Sequence, residues 1–215
     1  MANVKAYMRA KRFRMSYTEI VLFDNDGNAC DEGLIFNNSW RGAMAIWRYM
    51  EKRYLEPYIP SYVNEDLTYE EYERKYGYTP SRLSSLDEEV LTPLWQTVDN
   101  PDIPFNERVC MATTLDWVLV EKANFPKVIE AFRAFPVETS LPEQADEIEK
   151  LIKDDNVSAI GWRQNSIVDN LWLSYFEEPS VMPTINGEDD DEGRPYNYKS
   201  DTKHWFLFDE IKESE

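Results

Sequence analysis

The stretch from Val109 to Phe135 constrains the fold most, because one hydrophobic period gives way there to another. Met111, Thr113, Leu115, Trp117 and Leu119 alternate with Ala112, Thr114, Asp116, Val118 and Val120. Both sets are largely apolar, which predicts a central strand covered on both sides. Val128, Ile129, Phe132 and Phe135 then fall at i, i+1, i+4 and i+7, one stripe of a helix. Asn124 is placed to cap that helix. Pro126 lies in its first turn, where a missing N–H costs nothing, and Pro136 ends it. A covered strand followed by an amphipathic helix predicts a sheet with helices packed on it.

The N-terminal part reads as a β-β-α unit over residues 1–55. Tyr17 to Phe23 and Leu34 to Phe36 read as strands, joined by the turn formers Asp24-Asn-Asp-Gly-Asn28. Asp24, Asp26 and Asn28 fit the first ligand positions of an EF-hand loop. Ala29 then stands where Gly is needed and Ile35 where a bidentate Glu is needed, so that reading fails. Asn38 or Ser39 can cap a helix from Trp40 to Tyr54, with Trp40, Ala43, Met44, Trp47 and Tyr54 on one face. Ahead of this unit, residues 1–16 carry Lys5, Arg9, Lys11, Arg12 and Arg14 with Tyr7 and Phe13 between them. A basic solvated strand is preferred there over a nucleic-acid arm.

Residues 56–108 form a connector rich in Tyr and Pro. Thr68-Tyr-Glu-Glu71 is a capping box, and Gly77 stops the helix that it opens. Ser85-Leu-Asp-Glu88 is a second box, before a helix that Pro93 ends or kinks. Residues 109–215 read as a β-α-α-β-β unit with an acidic loop and a final strand. Its second helix starts at the box Ser140-Leu-Pro-Glu143. Its later strands are Val157 to Trp162, Leu171 to Phe176 and Lys203 to Phe208. The expected class is α+β: a mixed or mostly antiparallel sheet flanked by four to five helices, the three segments forming one compact domain.

Charge is the strongest functional bias. The chain carries a formal −18, placed unevenly. Residues 1–54 hold nine Lys/Arg against six Asp/Glu, and residues 55–215 hold fourteen against thirty-five. Such a field repels nucleic acid and anionic membrane and attracts basic protein surfaces, although acidity for solubility alone has equal weight. No apolar run approaches the ~20 residues of a membrane span, and the N-terminus lacks the apolar core of a signal peptide. The two cysteines, Cys30 and Cys110, form no CxxC, so reduced thiols and a cytoplasmic protein are expected.

No motif names a reaction. A Cys–His dyad would need Cys30 or Cys110 beside His204, the one histidine. Zinc ligand spacing, glycine-rich phosphate loops and serine elbows are all missing. No cofactor and no metal is expected. The favoured class is a non-enzymatic acidic binding or inhibitor protein that occupies a basic, nucleic-acid-binding site on a protein partner. A nuclease or nucleic-acid-guided effector would present such a site. Nucleic-acid mimics of the phage anti-defence type work this way, as do immunity proteins of nuclease toxins; the comparison rests on composition alone. A carboxylate-based hydrolase or transferase, with or without Mg²⁺, is the competing class. The candidate partner-binding residues are Tyr69, Glu70, Glu71, Tyr72, Glu73 and Tyr76 on the first short helix. Glu188, Asp189, Asp190, Asp191 and Glu192 in the acidic loop complete the set.

Overall fold

A computed structural model describes residues 17–30, 33–37, 39–56, 58–60, 63, 67–84, 88–115, 118–165, 196–200 and 204–211. The fold is α+β. Its strands are β1 (Tyr17–Phe23), β2 (Leu34–Asn37), β3 (Val118–Glu121), β4 (Ala159–Asn165) and β5 (Trp205–Phe206). Its first four helices are α1 (Ser39–Tyr54), α2 (Tyr69–Tyr76), α3 (Glu88–Trp95) and α4 (Phe105–Ala112). The others are α5 (Phe125–Ala134), α6 (Leu141–Leu151) and the single turn α7 (Leu207–Glu210). The sheet order is β2-β1-β4-β3-β5. The first four strands in that order are antiparallel, and β5 adds to β3 in parallel. β1 pairs along its whole length with β4, from Tyr17 opposite Asn165 to Phe23 opposite Ala159.

Strand alternation sends the two sets of side chains into different cores. Ile20, Val118, Val120, Ile160 and Trp162 face the helices and join one cluster with Trp47, Leu94, Val109, Val128, Phe132 and Ile148. Val21, Phe23, Leu119 and Ala159 face the other way and meet Tyr198. Two buried indoles on the helical side have hydrogen-bond partners. Trp47 Nε1 donates to Thr114 Oγ1 at 2.7 Å, and Trp162 Nε1 donates to Gln144 Oε1 at 3.0 Å.

The Asp/Asn turn after β1 is a clasp for the second face. The Asp24 carboxylate accepts the N–H groups of Asp26 and Asn28 at 2.9 and 2.8 Å. Tyr198 N–H donates to the Gly27 carbonyl, and Ala29 N–H to the Tyr196 carbonyl. Gly27 has φ +94°, and a Cβ there would stand 2.8 Å from Lys199 Cγ. The turn formers thus hold the segment that covers Phe23.

Several sequence expectations are corrected. Val109 to Ala112 is the end of helix α4, not the start of the central strand; β3 begins at Val118. Val109, Cys110, Met111 and Ala112 are all fully buried. The last turn of that helix is apolar and buried on every side, which leaves no 3.6-residue stripe, so its side chains also satisfy an alternating template. β3 itself is covered on both faces, as expected of a central strand. β4 runs on to Asn165, three residues past the expected end at Trp162. The final strand stops at Phe206, and α7 follows. The box at Ser140 does not form. Ser140 has helical dihedrals and accepts from Gln144 Nε2, while Thr139 Oγ1 takes the Leu141 N–H. Asn124 precedes α5 without a side-chain cap bond. α3 continues two residues past Pro93. Leu171 to Phe176, residues 1–16, the box residues 85–87 and the acidic loop lie outside the described residues.

Candidate functional site

Helix α2 forms where its sequence says it should. Thr68 has extended dihedrals and accepts the Glu71 N–H, and the Glu71 carboxylate accepts the Thr68 N–H at 2.7 Å. This box is closed at both ends, unlike the one at Ser140. Those hydrogen bonds from Thr68, with help from Arg74, hold the Glu71 carboxyl below its usual range. Gly77 closes the helix with φ +76° and donates its N–H to the Glu73 carbonyl. Only a residue without Cβ takes that left-handed conformation cheaply.

The left-handed turn folds Tyr78 back over the helix. Tyr72, Tyr76 and Tyr78 form one ring cluster, with centroid separations of 4.6, 5.6 and 6.3 Å. Tyr72 is fully buried within it, and its hydroxyl donates to Tyr78 at 3.0 Å. Tyr72 belongs to neither of the two core clusters. It is the floor of a local aromatic platform. Tyr76 and Tyr78 are its surface, 39% and 51% exposed. Glu70, Glu71 and Glu73 are exposed beside it, with Arg74 and Lys75 in the last turn. Glu73 accepts from the Thr79 hydroxyl at 2.9 Å. Tyr69 is half-buried, and burial followed by the charges of Glu73 and Glu51 pushes its phenol up.

A strap after the platform is clamped to α1. Glu51 accepts from Ser81 Oγ at 2.5 Å and from Arg82 N–H at 2.7 Å, and Arg82 Nη1 lies 3.5 Å away. Arg82 also stacks over Tyr58 at 5.3 Å. The strap is thus held by a buried carboxylate and by Leu83, which packs against the main core.

The six α2 residues singled out in the sequence come together on one short helix. Five offer exposed or half-buried side chains, and Tyr72 supports the others. Tyr78 belongs to the same surface but was not among the candidates. The Gly77 stop was its only signal. The loop residues Glu188, Asp189, Asp190, Asp191 and Glu192 lie outside the described residues.

Cys110 is fully buried, points its thiol at the Ala131 carbonyl, and has its pKa pushed well up by burial. Such a thiol yields no thiolate near neutral pH. His204 Nδ1 is 2.6 Å from the Tyr196 hydroxyl, in an aromatic group with Tyr198 and Phe206. A cleft of about 20 Å³ beside Thr113, Thr114 and Gln144 has room for about one water. A cleft of about 90 Å³ at the β3–β5 edge brings Glu121 and Asp209 together, both exposed. Among the described residues no three His, Cys, Asp or Glu side chains gather in metal-binding geometry. No described helix is long and apolar enough to cross a membrane.

Comparison with protein-family models, curated proteins and solved structures found no match for this chain.

Proposed function

We propose that this chain is a non-enzymatic acidic binding protein that occupies a basic, nucleic-acid-binding site on a protein partner. The observation that carries this reading is the Tyr76–Tyr78 platform. Two large exposed rings stand at the end of the helix that carries the exposed Glu70, Glu71 and Glu73, on a chain of formal charge −18. Exposed tyrosines give a partner contact area at low entropic cost, and carboxylates on a short helix can stand where phosphates would. Not every acidic face serves equally. On α5 and α6, Arg133 bridges Asp146 and Glu149 at 2.8 and 2.9 Å, and Lys150 pairs with Glu147. That face is partly paired and lacks exposed large rings among the described residues, whereas α2 ends in Tyr76 and Tyr78, so α2 is the better candidate.

The test is capture from lysate on the immobilised chain, elution with a salt gradient, and identification by mass spectrometry. The expected result is a nucleic-acid-binding protein released at moderate salt and displaced by competing DNA or RNA. Retention of nothing but abundant basic proteins lost at the first salt step would assign the charge to solubility alone.

A further inference from the structure

We infer that the Tyr76–Tyr78 platform is an acceptor for arginine side chains of the partner, with Tyr78 as the ring that takes the guanidinium. The inference rests on the proposed binding function and specifies its chemistry. The chain already uses one arrangement twice within itself. Arg53 lies over Tyr49 at 5.7 Å, while its Nε donates to the Tyr54 hydroxyl at 2.9 Å and stands 4.0 Å from Glu107. Arg82 lies over Tyr58 at 5.3 Å while reaching Glu51 at 3.5 Å. In both places a guanidinium covers a tyrosine face and meets a carboxylate at its edge. Its flat, weakly hydrated plane suits both contacts at once.

The platform repeats the tyrosine and the carboxylate on the surface. Glu73 lies one turn before Tyr76 on the same helix face, and it is hydrogen-bonded to Thr79, the neighbour of Tyr78. Lys75 Nζ stands 5.4 Å from the Tyr76 ring. Tyr78 is the more open of the two, half exposed just past the Gly77 cap. Charge complementarity selects a basic group, and the ring plane selects arginine over lysine. An ammonium is compact, strongly hydrated and cannot stack.

The test titrates octa-arginine and octa-lysine into the full chain by calorimetry at physiological ionic strength. The wild type, Tyr78→Phe and Tyr78→Leu are compared. The expected result is tighter binding of octa-arginine. Tyr78→Phe keeps the arginine-to-lysine ratio, and Tyr78→Leu lowers it about two- to fivefold, the value of one cation–π contact. Matched melting temperatures of the two variants show that the loss is not one of folding. Equal binding of both peptides by the wild type overturns the inference and leaves the acidic-surface reading standing. A ratio unmoved by Tyr78→Leu overturns it too, because the arginine contact then lies elsewhere. Binding of neither peptide contradicts both.

Discussion

Two buried carboxylates behave differently because of what surrounds them. Glu51 accepts from a hydroxyl, a backbone N–H and a guanidinium. Glu51→Ala leaves those donors in a nearly closed site, and the cost is about 2–4 kcal/mol. Urea denaturation measures it. Glu19 lies on β1 opposite Arg163 on β4, with its carboxylate 3.7 Å from the guanidinium. Burial raises its pKa from 4.5 to about 7, against the opposing pull of Arg163. The folded chain therefore holds a proton that the unfolded chain has released between those values. Stability from that proton is complete below pH 4.5 and is lost as pH rises towards 7. The loss between pH 5 and pH 8 should be about 2–3 kcal/mol larger in the wild type than in Glu19→Gln. Equal pH slopes in the two proteins would show that Glu19 ionises normally.

At the scale of elements, α2 has a cap that a single change removes. Thr68→Ala should cost about 1 kcal/mol of local helix stability, visible as faster amide exchange in α2 with the core unchanged. Charge reversal for binding studies is best confined to Glu70 and Glu73, since Glu71 also closes the cap. The sequence made this helix legible because a capping box acts between residues three apart. The amphipathic helices α1, α5 and α6 and the β1–β2 hairpin were legible for a similar reason. Each helix is buried on one side and shows its period, and the hairpin is marked by its Asp24–Asn28 turn. Helix α4 was not, since Arg108 through Ala112 are all buried and no polar face marks the period. Ser140 has every local feature of a cap, yet Gln144, turned inward by its bond to Trp162, takes the hydroxyl instead. At the site, the acids and Tyr76 were legible. The burial of Tyr72 and the membership of Tyr78 depend on the direction the chain takes after Gly77, which local pattern does not specify.

At the scale of the molecule, the sheet divides the chain between a helical core and a thin aromatic cover held by the Asp24–Asn28 clasp. Tyr72 of α2 lies outside both clusters, and the strap that follows is held by Glu51 and by Leu83 on the helical core. Interactions of the kind seen between Arg133 and its two acids are each worth less than about 1 kcal/mol at a surface, so they set the field more than the stability. What remains acidic is available to steer a basic partner, with association that weakens as salt screens it. The most direct test of the central claim, that α2 carries the interface, compares capture by the wild type with capture by a Glu70→Lys, Glu73→Lys, Tyr78→Leu variant. Both are run through the same salt gradient. The account predicts that the variant, with its melting temperature unchanged, releases the captured partner at clearly lower salt and with a shallower salt dependence. Identical elution of that partner from both proteins would contradict it and remove α2 from the binding surface.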